Sequence, residues 1–362
     1  MQQGPSQRVR VVVLGNSYAA TCQLPGLAWG GGAEIVAVCG RDHAKAQATA
    51  ARVAAAGGAP LATTSVDEAL AQRPDLVLVS TPVDLHARMV EQALATTRAA
   101  ILCEKPFTLD VDDARRLARL ARGRLCLVDH QLRWSAPRRA LKAAVDGGAV
   151  GTPWVARAEM CFGSVERLTR RHSWWDDVAR GGGAMQAIAS HLVDGLLWIL
   201  GPVVDVQARL TTCVKQRADD AGAQHPVTAD DHCELWLTHA SGARSSVLCT
   251  TVQIHGRRSL LEVIGSEGTV RLVDESELGC GRHGAPFLPV AGARLPSVAE
   301  VDACNDSAFA RCEPLFLRDL VRAVAAGARV LAPAATFDDG VANVEILRAA
   351  QRVGNALAQP SP

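Results

Sequence analysis

Ten consecutive residues, Ile101 to Asp110, set an amine where it could move a proton. Ala99 to Cys103 is an apolar run suited to a buried strand, and it ends at Glu104-Lys105-Pro106. Pro106 cannot continue a hydrogen-bonded ladder, so the strand must stop there. Lys105 is then left at the carboxyl end of a strand, the edge at which open α/β sheets bind ligands. Partial desolvation at such a rim lowers a lysine pKa and suits the side chain to proton transfer. Taken by itself, a lone lysine reads first as part of an ordinary surface loop.

A second stretch has the makings of a phosphate cradle. Val9 to Leu14 is almost entirely β-branched or leucine, as in a strand buried on both faces, and it runs into Gly15-Asn16-Ser17-Tyr18-Ala19-Ala20. A dinucleotide-binding turn carries Gly-x-Gly-x-x-Gly/Ala at this place. Gly15 and Ala20 fit that pattern. Ser17 stands where the second glycine lets the backbone approach a pyrophosphate, so the match is partial. Tyr18 is the only tyrosine of the chain, which rules out a tyrosine acid anywhere else. The next strand, Glu34 to Cys39, ends in Gly40-Arg41-Asp42. NAD-binding folds carry an acidic residue there for the ribose hydroxyls. Gly40 takes its place and Arg41 follows, a pairing that suits a 2′-phosphate and favours NADP over NAD; an arginine in an exposed turn reads the same way. Asp75 to Ser80 forms another strand closing at Thr81-Pro82, and His86 falls in the first turn of the helix Leu85 to Ala95. That histidine either contacts a ligand or satisfies the start of the helix.

These groups need a scaffold, and the chain supplies an alternating one. A helix-favouring run at Ala44 to Ala56, a helix at Val111 to Arg122 and a strand at Arg124 to Asp129 complete a β-α series. Such alternation predicts an α/β fold with a doubly wound parallel sheet, ending near His130. Beyond it the pattern changes. A helix at Pro137 to Ala144 precedes strand-like segments at Trp154 to Phe162, Val204 to Thr212, His232 to Thr238, Ser245 to Ile254, Leu260 to Ile264 and Thr269 to Val273. Turn signals at Ala240-Ser241-Gly242 and Gly265-Ser266-Glu267-Gly268 make hairpins of them, which predicts a mainly antiparallel open sheet in an α+β domain. Residues 276–303 show no periodicity and read as a loop. Helices at Pro314 to Ala326 and Asp338 to Ala358 cover that sheet or pack back on the first domain. The expected division is 1–130 for nucleotide binding and 131–362 for substrate and oligomerisation.

Bulk properties narrow the function. At 362 residues, 48% hydrophobic and 21% charged, the chain has the composition of a soluble globular protein of two domains. A net charge of +1 gives no electrostatic reason to expect nucleic acid or an anionic membrane. No apolar run near the ~18 residues of a membrane span is evident. The opening Met1 to Gln7 is polar and has no signal-peptide core. Eleven cysteines without Cys-x-x-Cys or Cys/His ligand spacing read as reduced thiols in cytoplasm and argue against a metal site.

Taken together, the chain resembles the Gfo/Idh/MocA oxidoreductases over nearly its whole length. The resemblance rests on the opening strand and glycine loop, Thr81-Pro82 with His86, Glu104-Lys105-Pro106, Gln131-x-Arg133, Gly181-Gly182-Gly183, His191-x-x-Asp194 and Gly265-Ser266-Glu267-Gly268. It implies a Rossmann domain followed by an α+β domain. It also implies NAD(P)-linked hydride transfer at a hydroxyl or carbonyl of a sugar-like substrate, a sugar nucleotide or a specialised-metabolism intermediate included. Homodimers or homotetramers through the open sheet are expected on the same ground. Carried over residue by residue, Lys105 bonds the reacting oxygen, His191 handles the proton, and Asp194 lies on the same side of the helix as His191. Gly15, Asn16, Ser17, Tyr18, Ala20, Gly40, Arg41, Thr81, Pro82, His86 and Glu104 join Lys105 around the cofactor. Arg133, His172, Trp174, Trp175 and Asp194 face the substrate; paired tryptophans offer flat faces for a sugar ring, or else fill core. One departure stands out. The family pattern Asp-x-Gly-x-His reads Ala187-Ile188-Ala189-Ser190-His191 here, so a carboxylate that raises the histidine pKa and orients its ring is missing. Gln186, Asp176 and Asp177 are the near substitutes. The departure also leaves room for a nucleotide-binding regulator without turnover, or for a redox-neutral glycosidase of the same fold.

Overall fold

The computed structural model describes residues 8–164 and 168–358, so the polar opening stretch lies outside it. The chain forms two compact units. Unit 1 takes the chain to Thr108, then Asp112–Trp134 and Pro296–Val341; unit 2 takes Leu109–Val111, Ser135–Leu295 and Ala342 onward. These units do not follow a single cut at residue 130, because the chain returns to unit 1 after Leu295.

Unit 1 is built on a sheet of seven strands. Six are parallel: β1 (Val9–Leu14), β2 (Ala33–Cys39), β3 (Leu61–Thr63), β4 (Leu76–Val79), β5 (Ala100–Cys103) and β6 (Cys126–Val128). Their order is β6-β5-β4-β1-β2-β3. The chain runs outward from β1 to β3, then restarts beside β1 at β4 and runs the other way. The carboxyl ends of β1 and β4 therefore flank a topological switch point, where such sheets bind their ligands. Val11, Val12, Val13 and all of β4 are fully buried, as strands covered on both faces must be. The sheet does not end near His130. An antiparallel edge strand, Ala335–Thr336, pairs with β6 and is contributed by the returning segment.

Unit 2 holds an eight-stranded sheet of β7 (Pro153–Cys161), β8 (Val203–Thr211), β11 (His232–His239), β12 (Arg244–Thr250), β13 (Arg258–Gly265), β14 (Gly268–Val273), β15 (Glu277–Arg282) and β16 (Leu288–Pro289). Its order is β16-β15-β14-β13-β7-β12-β11-β8, antiparallel except where β7 meets β12. A separate hairpin joins β9 (Gln216–Ala218) and β10 (Gln224–Pro226). Strand β11 alternates buried Cys233, Leu235 and Leu237 with outward Glu234 and Trp236, as a one-sided sheet should.

Three expectations need correction. Residues 276–303 are not a plain loop but carry β15, β16 and a short helix, Val298–Val301. The alternation was hidden because Gly279 and Gly281 replace side chains where the Phe287 ring lies; a β-carbon at Gly279 would sit 2.2 Å from it. The late helix begins at Ala308 rather than Pro314, with Ser307 as its cap, and runs through Pro314 to Ala325. Finally, Val178–Leu200 has the length and mean hydropathy (1.3) of a membrane span, yet 78% of its most apolar window is buried, as in a core helix.

Arg138, on helix Ala136–Asp146, bonds Glu275 through Nε and NH2 at 2.9 and 2.6 Å, and both side chains are buried. Ser259 Oγ donates to the same carboxylate at 2.9 Å. Arginine beside Glu275 holds that carboxyl below its ordinary pKa despite burial. Replacing one partner strands the other charge, so Arg138→Met should lower stability by about 3 kcal/mol or more in urea denaturation. Parent-like stability would show that the pair is not what ties this helix to the β14–β15 turn.

Candidate active site

Unit 1 gathers its polar groups at the carboxyl edge of the sheet. Gly15 ends β1 with φ +96°, and a β-carbon there would lie 2.4 Å from the Ser80 carbonyl oxygen. Only glycine lets the ends of β1 and β4 come so close. At the end of β2, a β-carbon on Gly40 would lie 3.0 Å from the Asn16 amide. Two buried polar atoms in this corner, Asn16 Nδ2 and Thr81 Oγ1, have no protein partner. A bare glycine between strand ends, flanked by unsatisfied donors, fits a dinucleotide. Ser17 is exposed beside it, and Ala20 is buried in the π-helical turn Ala19–Gln23 that follows. Arg41 is exposed; the adjacent Asp42 caps helix His43–Ala55 by accepting the Lys45 amide at 3.2 Å.

Below this corner lies a cluster of ionisable groups, of which the sequence pointed to Glu104 and Lys105 but not to Asp129 or Glu313. Glu104 at the end of β5, Asp129 after β6 and Glu313 on helix Ala308–Ala325 are all buried. Gln23 donates one amide hydrogen to Glu104 at 3.1 Å and one to Asp129 at 3.0 Å, while its own oxygen accepts from Ser80 at 2.5 Å. Tyr18 donates to Glu313 at 3.4 Å and accepts from Gln131 at 3.0 Å. Burial raises the pKa of all three carboxyls, and mutual repulsion adds to it for Glu104 and Glu313. The charges of all three act on Lys105. Burial pushes its ammonium down from the usual value, and the carboxylates of Glu104, Asp129 and Glu313 push back. Such a group exchanges a proton more readily than a lysine in water.

Two candidates from the sequence prove to be internal fittings. His86 is buried, with Nε2 at 2.9 Å from the Thr81 carbonyl and Nδ1 at 3.0 Å from that of Pro106. Both ring nitrogens are occupied by the turns after β4 and β5, and Pro82 lies in the first of them. Arg133 is likewise buried, donating to the Pro333 carbonyl at 3.2 Å and to Asp339 at 3.3 Å. It fastens the returning segment of unit 1 rather than facing open space.

Unit 2 positions the histidine. Gly182 lies under the Trp175 carbonyl, which a β-carbon would approach to 2.2 Å, and Gly183, at φ +105°, lies against Asp230. Asp230 accepts the Met185 amide at 2.8 Å and opens the π-helical turn Met185–Ala189. His191 and Asp194 follow on helix Ser190–Leu200, both buried. Asn343 holds this start by donating to the Ser190 carbonyl at 2.8 Å. Ala187 is buried in the π-helical turn. Asp176 does not replace its missing carboxylate: it bonds Arg170 at 2.7 and 2.5 Å and Arg217 at 3.1 Å. Asp177 caps Ala179. Trp174 and Trp175 lie at a tilt with ring centres 5.8 Å apart, and His172 packs on His225 at 5.0 Å. A cavity of about 340 Å³ in unit 1, between Asp75, Arg98, Arg124 and Arg329, lies at the amino ends of the strands, the opposite edge of the sheet from Gly15 and Lys105.

Comparison with known proteins agrees with the two-part fold. Residues 9–130 match the model of an oxidoreductase family with an NAD-binding Rossmann fold, and residues 138–271 match the GFO/IDH/MocA C-terminal domain. The chain is 32% identical over 272 residues to inositol 2-dehydrogenase 3 of Saccharopolyspora erythraea, covering 74% of this chain and 72% of that protein. Over 252 residues it is 29% identical to D-apiose dehydrogenase of Paraburkholderia graminis, covering 67% of this chain and 61% of that one. Among solved structures, levoglucosan dehydrogenase with NADH and levoglucosan superimposes with a TM-score of 0.80 at 21% identity, over 97% of this chain and 98% of that one.

Burial lifts the Asp230 pKa from 3.8 to about 7. The folded state thus holds this proton where the unfolded state has lost it, and the associated stability fades as pH rises from 3.8 towards 7. Asp230→Asn keeps an oxygen for the Met185 amide and removes the titration. Relative to that variant, the parent should lose up to about 1.4 kcal/mol per pH unit across the window, read from denaturation midpoints. Parallel pH profiles would sink this account of Asp230.

Proposed function

The chain belongs to the Gfo/Idh/MocA family of oxidoreductases, and from that premise we propose that it passes a hydride between NADP and a hydroxyl-bearing carbon of a carbohydrate-like substrate. The observation that carries this reading is Lys105: an amine depressed by burial, yet ringed by carboxyls, at the binding edge of a nucleotide-binding sheet. Bound nicotinamide would supply the hydride acceptor or donor, held by the Gly15 turn, Asn16 and Thr81. When a carbon gives up hydride, the oxygen on it must release a proton, and Lys105 Nζ takes that proton as a neutral amine. In the reverse direction the ammonium returns it. Burial favours the first form and the carboxyls favour the second. His191 is the second proton carrier of this reading, and Trp174 and Trp175 are its candidate sugar-stacking faces. With alanine at position 187, and Asp176 committed to two arginines, proton handling falls more heavily on Lys105.

The sugar-like substrate draws support from the names of the relatives, which act on a cyclitol, a pentose and an anhydrosugar. NADP draws support from the end of β2, where Gly40 offers no carboxylate to a ribose 2′-hydroxyl and Arg41 stands exposed.

Two experiments test the reading. With a substrate found by screening sugars and polyols for a change in nicotinamide absorbance, Lys105→Ala should cut turnover by about 10²-fold or more and keep the nucleotide-induced rise in melting temperature. Turnover within a few-fold of the parent would remove Lys105 from the chemistry. In the second, NADPH should raise the melting temperature more than NADH at equal concentration, and Arg41→Ala should erase the difference. Equal shifts in the parent would overturn the NADP assignment.

A further inference from the structure

Two cysteines far apart in sequence meet in unit 1. Cys22 belongs to the π-helical turn after the glycine loop, and Cys304 lies in the segment by which the chain returns, between helices Val298–Val301 and Ala308–Ala325. They are 282 residues apart, and their sulfurs lie 2.6 Å from each other. The fold fixes this approach from both sides. Trp29 Nε1 donates to the Glu300 carbonyl at 3.1 Å, and Trp29 packs with Val298 and Leu315 against buried Val301, Ala303 and Ala310. On the other flank, Asn305 Oδ1 accepts the Ser307 amide at 2.9 Å, and Ser307 caps the following helix.

The two thiols differ in the way a reactive pair needs. Cys304 is exposed, and the Asn305 side-chain amide donates to its sulfur at 3.4 Å. Cys22 is buried and receives a hydrogen bond from Thr21 Oγ1 at 3.7 Å. Burial pushes its thiol up, so it is the less reactive partner at first encounter. Cys233 and Cys249 make an instructive contrast. They face each other across β11 and β12, but both are fully buried, out of reach of a dissolved oxidant.

We propose that Cys22 and Cys304 form a reversible, oxidant-induced disulfide that staples the returning segment to the helix behind the cofactor loop. The oxidant is a small hydroperoxide. Cys304 releases its proton and its sulfur attacks one oxygen of hydrogen peroxide; the S–O bond forms, the O–O bond breaks, and the departing hydroxide takes up the proton as water, leaving a sulfenic acid. Cys22 sulfur then attacks Cys304 sulfur, the S–S bond forms, and a second water departs with the Cys22 proton. Two thiols lose two electrons and two protons, and one hydrogen peroxide becomes two waters. A dithiol reductant restores the pair.

The test uses the full chain treated with hydrogen peroxide, blocked with an alkylating agent, digested and mapped by mass spectrometry. The expected result is a linked peptide joining Cys22 to Cys304, lost on treatment with dithiothreitol and absent from Cys304→Ser. The oxidised parent should also melt at a higher temperature than the reduced parent, with no such difference in Cys304→Ser, because a cross-link closing so long a loop restrains the unfolded chain. In Cys22→Ser, Cys304 should persist as a sulfenic acid trapped by dimedone, since its resolving partner is gone. Recovery of both cysteines unlinked while exposed Cys213 is modified, or linkage of Cys304 to any other cysteine, would overturn the proposal.

Discussion

One ammonium beside three buried carboxyls is the constraint around which unit 1 is organised. Four such groups cannot all be ionised in a medium that screens poorly, so their protons and hydrogen bonds must be shared. Gln23 does much of that sharing by bridging Glu104 and Asp129, and Tyr18 reaches Glu313. The arrangement demands that four separate stretches hold position together: the glycine loop, the ends of β5 and β6, and helix Ala308–Ala325. The last reaches the cluster only because helix Leu24–Gly30 is thin where they cross. A β-carbon on Gly26 would lie 3.0 Å from Leu317, and one on Gly30 would lie 3.0 Å from the Arg318 backbone. Small residues on one helix thus place a carboxyl beside a tyrosine on the turn before it.

Local sequence carried the fold well and the site unevenly. Continuous apolar strands, the Gly15 turn and Pro106 as a strand stop are local facts, and each was readable because its cause lies within a few residues. The parallel sheet and the mainly antiparallel one followed from the change in periodicity. Asp129 and Glu313 were different. Each is an ordinary acidic residue at the end of a strand or within a helix, and nothing in its neighbourhood announces that it will be buried. Their meaning comes from pairing across 184 residues, which no spacing encodes. His86 and Arg133 show the opposite case. Their residue types suit ligand binding, but backbone carbonyls and Asp339 take up their nitrogens.

In unit 2 the triple glycine had a cause that only coordinates supply. Gly182 and Gly183 are needed because the Trp175 carbonyl and the Asp230 carboxyl occupy the space of a side chain. That contact sets where the π-helical turn begins, and so which turn of the helix carries His191. The loss of the family aspartate at Ala187 was visible at once in the sequence. The commitment of Asp176 to Arg170 and Arg217 was not, since Arg217 lies on a hairpin strand of only three residues.

The return of the chain to unit 1 governs the order in which the protein can be made. During synthesis the first six strands emerge early, but the edge strand at Ala335–Thr336 and the helix bearing Glu313 leave the ribosome only after almost the whole of unit 2. Until then β6 has an open edge, and Tyr18, Glu104 and Asp129 lack a neighbour that the finished unit supplies. A nascent nucleotide-binding half is consequently an aggregation-prone, incomplete object, and its completion waits on the far end of the polypeptide.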